Sequence, residues 1–115
     1  MTVPGTTGNP LYVKNNSADP VVVERASDTA TLTNVSGAAS SATALAANTS
    51  RKGWSVFNDS TATLYVKYGA TASSTSYTVA VAAGGYYESG PINYRGKIDC
   101  IWSAANGTGR FTELT

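Results

Sequence analysis

Residues 53–68 read Gly53-Trp54-Ser55-Val56-Phe57-Asn58-Asp59-Ser60-Thr61-Ala62-Thr63-Leu64-Tyr65-Val66-Lys67-Tyr68. Trp54 and Val56 alternate with Ser55 and Phe57, and Leu64, Val66 and Tyr68 alternate with Tyr65 and Lys67. A period of two, built from aromatic and β-branched residues, is the signature of a half-buried strand. The polar run Asn58-Asp59-Ser60-Thr61 between the two segments supplies turn chemistry.

The pattern continues towards the carboxyl end. Small residues from Ala70 to Ser76 form a loop, and Tyr77, Val79, Val81 and Ala83 alternate with Thr78, Ala80 and Ala82. Gly84-Gly85 suits the positive φ of a tight hairpin turn, leading into Tyr86-Tyr87-Glu88, which Gly90-Pro91 stops. Ile98, Cys100 and Trp102 alternate with Lys97, Asp99 and Ile101. Asn106-Gly107 marks a further turn before a final strand from Gly109 to Leu114. Strands recurring about every ten residues predict an all-β fold, an antiparallel β-sandwich or barrel.

The amino-terminal half differs in kind. Of the 11 aromatic residues only Tyr12 precedes residue 54. Three regions follow from this: an extended N-terminal arm (1–25), an Ala/Ser/Thr-rich stretch of strands or linker (26–50), and a β-sandwich or barrel domain (51–115). Within the middle stretch, Thr31 to Val35 reads as one strand ending at Gly37, and the run around Leu45 as a second. In the arm, Asn9-Pro10-Leu11-Tyr12-Val13 is echoed by Asp19-Pro20-Val21-Val22-Val23. Proline holds the residue before it extended, and the apolar residues after it favour a pleated surface. The expected role of the arm is strand addition along a neighbouring subunit, with Leu11, Tyr12, Val13, Val21, Val22 and Val23 as its contacts.

Composition narrows the function. With no His and a single cysteine, Cys100, neither an intramolecular disulfide nor a zinc site is expected, and no cofactor is implied. The usual His-dependent nucleophilic constellations are missing, and the seven carboxylates form no motif, so no enzyme activity is expected. Glu88 and Asp99 are expected to face solvent or to pair with Arg95 or Lys97, and Cys100 to share the core face of Ile98 and Trp102. The net charge of +1 comes from scattered cations, of which Arg51-Lys52 is the contiguous pair, so a nucleic-acid surface is not expected. The apolar runs are too short for a membrane span, and the first residues do not read as a signal peptide. Five Asn-x-Ser/Thr triplets, at Asn15, Asn34, Asn48, Asn58 and Asn106, fit chance in a chain rich in these residues. A core of about 70 residues is marginal alone, which makes a homo-oligomer the expected state.

Several pieces of the second half also resemble a known group. Asn58-Asp59-Ser60-Thr61 through Ser73, Tyr77 to Glu88, the Tyr-x-Gly-x-Ile-Asp step from Tyr94 to Asp99, Ile101 to Gly107 and the terminal Arg110 to Thr115 resemble a small C-terminal β-domain of tailed-bacteriophage and prophage structural proteins. The resemblance implies a virion component without catalysis, made in the bacterial host cytoplasm. On the head it would act as a capsid decoration (cement) protein, a homotrimer bound to the major capsid protein. The alternative is a head- or tail-fibre or receptor-binding module contacting host glycans. Tyr65, Tyr86 and Tyr87 are the candidate interface aromatics. Tyr65 lies opposite the Leu64 and Val66 face, and adjacent Tyr86 and Tyr87 must point to opposite faces. Exposed tyrosines at such positions can sit at the rim of the fold, at a subunit interface or under a sugar ring.

Overall fold

The computed structural model describes residues 26–115. They form eight strands: β1 (Ala30–Ser36), β2 (Ala42–Leu45), β3 (Gly53–Asp59), β4 (Leu64–Tyr68), β5 (Val79–Val81), β6 (Tyr86–Glu88), β7 (Ile98–Trp102) and β8 (Thr108–Leu114). Two four-stranded sheets, ordered β1-β8-β3-β6 and β2-β7-β4-β5, pack face to face as a β-sandwich. All the pairings between named strands are antiparallel. Each strand of the first half pairs with its mirror in the second: β1 with β8, β2 with β7, β3 with β6 and β4 with β5. A long hairpin rolled up on itself gives this order, the jelly-roll arrangement of two sheets.

The alternation read from the sequence is what fills the space between the sheets. Trp54, Val56 and Phe111 from one sheet meet Leu64, Val66, Ile98, Cys100 and Trp102 from the other, all essentially without solvent contact. Trp54 is the hub of the aromatic contacts, with ring centroids 6.0 Å from Phe111, 6.0 Å from Tyr68 and 5.6 Å from Tyr87. Tyr94 then stacks on Tyr68 at 4.7 Å. Offset and edge contacts of this kind add about 1 kcal/mol per pair to plain burial.

Three expectations are refined. Residues 26–50, read as strands or linker outside the 51–115 domain, supply two strands of the sandwich itself: β1 and β2 are edge strands, laid on β8 and β7. The segment from Tyr77 to Ala83 contributes only the short strand Val79–Val81. Gly84-Gly85 is not a hairpin turn, because β5 and β6 belong to different sheets. Gly84 does adopt φ +72°, and Gly85 N–H closes a tight turn on the Ala82 carbonyl at 2.8 Å. The turn crosses between layers, held by Asn58, whose backbone bonds to both glycines. The arm residues Leu11, Tyr12, Val13, Val21, Val22 and Val23 lie outside the described residues.

Candidate functional site

The two outer faces of the sandwich differ. On the β2-β7-β4-β5 sheet, the loop after β4 folds back over the strands. Lys67 Nζ donates to Ser76 Oγ at 2.8 Å and to the Thr71 carbonyl at 3.3 Å, and Ala72 N–H donates to Ser41 Oγ at 3.0 Å. Tyr65 lies on this face, its ring 4.8 Å from that of Tyr77. Asp99, expected at the surface or in an ion pair, is in fact buried beside Thr43 Oγ1 at 3.1 Å. Its expected partner Lys97 is present at 3.6 Å.

The outer face of the β1-β8-β3-β6 sheet carries exposed apolar and aromatic side chains. Since Trp54, Val56 and Asn58 point inwards, Ser55 and Phe57 point out. The strand register then aligns Asn34, Arg110, Phe57 and Tyr86 in one row across four strands, and Leu32, Thr112, Ser55 and Glu88 in the next. Leu32 (58 % exposed), Phe57 (39 %) and Tyr86 (61 %) thus share one face. Arg110 is held between Asp59 Oδ2, at 3.0 Å and 2.8 Å, and Asn34 Oδ1 at 3.2 Å. Tyr86 hydroxyl donates to Glu88 Oε1 at 3.2 Å.

Tyr65, Tyr86 and Tyr87 are therefore not brought together. Tyr65 is on the opposite sheet and against Tyr77, Tyr86 is exposed, and Tyr87 turns inwards, partly buried on Trp54. The core takes one face of Tyr87, which leaves Tyr86 as the most exposed of the three.

Beside this face, between the start of β3 and the loop after β6, lies an open cleft of about 480 Å³. Lys52, Ser55, Tyr86, Glu88, Asn93 and Arg95 are among the residues that line it. Its floor is built by Arg51, which is fully buried. Arg51 Nε donates to Glu113 Oε2 at 2.7 Å, Nη1 to the carbonyls of Tyr94 (2.8 Å) and Gly96 (2.9 Å), and Nη2 to that of Ala46 (2.7 Å). Asn93 Nδ2 in turn donates to the Arg51 carbonyl. One guanidinium therefore ties the end of β2, the start of β3, the 93–96 loop and β8 into a fixed wall. The neighbours Arg51 and Lys52, contiguous in sequence, have opposite fates: the first is consumed by the fold, the second is exposed on the cleft.

Sequence reasoning missed Arg51 and Asn58 as buried polar centres. Asn58 had a signal: it continues the inward phase of Trp54 and Val56. Arg51 had none, because its position is set by Glu113 and by three carbonyls, two of them in the distant 93–96 loop. Comparisons with family models, with curated proteins and with solved structures each returned no match.

Proposed function

We propose that this chain is a bacteriophage virion structural protein that decorates the head shell, bridging subunits of the major capsid protein as a homotrimer. The supporting observation is the sheet face, uncovered among the described residues, on which Phe57, Tyr86 and Leu32 stand exposed together. Aromatic side chains on a rigid surface are what protein interfaces favour. The resemblance of the second half to phage structural β-domains points the same way, and jelly-roll sandwiches recur in capsid and lectin domains, an analogy of fold. In this reading the arm, through Leu11, Tyr12, Val13, Val21, Val22 and Val23, adds strands to a neighbouring subunit, while the Phe57–Tyr86 face buries apolar area against the shell. The effect is mechanical: each occupied site stabilises the assembled shell by linkage, about 3 kcal/mol at a free concentration about 100 times Kd.

Binding of the purified protein to empty expanded heads, with its position and copy number read by cryo-EM, tests this reading. Hundreds of copies on the shell support it; a handful at the tail tip overturns it. Phe57→Ser with Tyr86→Ser should weaken shell binding while the sandwich stays folded, and sedimentation as a stable monomer would count against the trimer. The cleft beside Tyr86 favours a second reading, a fibre or receptor-binding module that contacts saccharides.

A further inference from the structure

Among the described residues, the charged side chains are largely committed within the fold. Arg51 is bound by Glu113 and three carbonyls, Lys67 by Ser76 and Thr71, Lys97 by Asp99, and Arg110 by Asp59 and Asn34. Lys52 and Arg95 are the two described cations whose side chains are bound by neither a carboxylate nor a hydrogen-bond acceptor, and both line the same cleft. The same cleft has unmet demand of the opposite kind. Glu88 engages one carboxylate oxygen with Tyr86 and leaves the other free to accept. Tyr86 itself offers a largely exposed aromatic ring.

From this we infer that the cleft binds an acidic sugar, a pyranose bearing a carboxylate. A simple anion would satisfy Lys52 and Arg95 but would meet repulsion at Glu88. A neutral sugar would satisfy Glu88 through its hydroxyls but leave both cations without a partner. A hexuronate carries all three complements at once: a carboxylate for the cations, hydroxyl donors for Glu88 and an apolar C–H face for the Tyr86 ring. The wall that Arg51 holds is already formed, so the ordering cost of binding falls on the side chains of Lys52 and Arg95 rather than on the backbone. The inference rests on the second functional reading, contact with saccharides, which uses Tyr86 as a sugar platform rather than as a shell contact.

Titration of the full chain with methyl glucuronide, methyl glucoside and acetate, followed by NMR shifts of the Lys52, Tyr86 and Arg95 signals, tests the assignment. The glucuronide should bind about tenfold more tightly than either control, with affinity falling as salt is raised. Lys52→Met with Arg95→Met should remove that preference, and Tyr86→Ser should weaken the glucuronide and the glucoside alike. Both cations are exposed, so circular dichroism and the melting temperature should be unchanged in the double variant. Equal affinity for glucuronide and glucoside, equal affinity for acetate, an unaffected double variant, or no binding at all would each overturn the acidic-sugar site. None of these outcomes bears on shell binding, which the cryo-EM experiment reads separately.

Discussion

Asn58 and Trp102 join the two sheets by a hydrogen bond inside the core: Trp102 Nε1 donates to Asn58 Oδ1 at 3.2 Å, linking β3 to β7. Asn58 Nδ2 donates to the carbonyls of Ala62 (2.8 Å), Val81 (2.9 Å) and Ala82 (3.1 Å), and Ser60 Oγ donates to Oδ1 at 2.7 Å. One amide thus serves the β3–β4 turn, the inter-layer turn after β5 and the indole of β7. Asn58→Ala leaves those carbonyls and the indole N–H without their partner, and should cost about 3 kcal/mol or more in urea unfolding. Asn58→Asp should be worse at neutral pH, where a carboxylate faces three carbonyls, and should partly recover in acid as the carboxyl regains a proton to donate.

Arg51 is the second buried polar centre, and its bonds are geometric rather than merely ionic. Arg51→Met should destabilise by about 3 kcal/mol, since Glu113 and three carbonyls lose their donor. Arg51→Lys should fare little better, because one ammonium lacks the planar fork that reaches acceptors on opposite sides. In a double-mutant cycle, Arg51→Met with Glu113→Gln should cost less than the two single changes added together.

Two glycines with positive φ should respond differently to alanine. Gly84, at φ +72°, has open space where a Cβ would stand, so Gly84→Ala should cost about 1 kcal/mol of backbone strain. At Gly107, φ +68°, a Cβ would meet Asp59 O and Ser60 Cβ at 2.4 Å, so Gly107→Ala should cost about 3 kcal/mol. Melting temperatures of the two variants measured side by side check the ranking.

Burial first, and the Asp99 carboxylate second, push the Cys100 thiol up to about 12 from 9.0. Burial, then Tyr87, raises Tyr68 above 10.0. Both groups keep a proton in the fold that the unfolded chain gives up, so stability is full below about pH 9 and declines as pH rises through about 9 to 12. Urea midpoints at neutral pH and at about pH 10.5 should show the fall, and Cys100→Ala should make it shallower. Cys100 should also react with a thiol reagent orders of magnitude more slowly in the native protein than in urea.

The fold was legible wherever a strand has one wet and one dry face. Trp54/Val56, Leu64/Val66 and Ile98/Cys100/Trp102 announce β3, β4 and β7, and Gly107 marks the turn before β8. Pairing was not legible. Gly84-Gly85 satisfies the local chemistry of a hairpin, yet whether a turn reverses within a sheet or crosses to the other is decided by partners far along the chain. β1 and β2 could be read as strands, but not as part of the sandwich, for the same reason: being edge strands with small side chains, they draw their place from β8 and β7. Of the candidate site, Tyr86 could be found from its neighbour Tyr87, since adjacent strand residues face opposite ways. The cleft could not, because Lys52, Glu88, Asn93 and Arg95 line one cleft only once β6 has paired with β3 and Arg51 has tied down the 93–96 loop.

The mirror pairing has a kinetic consequence. β8 is the last of the eight strands to leave the ribosome, yet it lies between β1 and β3. Until it emerges, β1 has no neighbour, β3 has only β6, and Trp54 and Val56 cannot be sealed from water. Contacts so distant in sequence also make for slow folding. At about 5–20 residues per second of synthesis, the nascent chain passes seconds with bare strand edges and wet indoles. The sandwich therefore closes only once β8 has been made, and its yield in a cell should depend on how crowded that interval is with other unfinished copies.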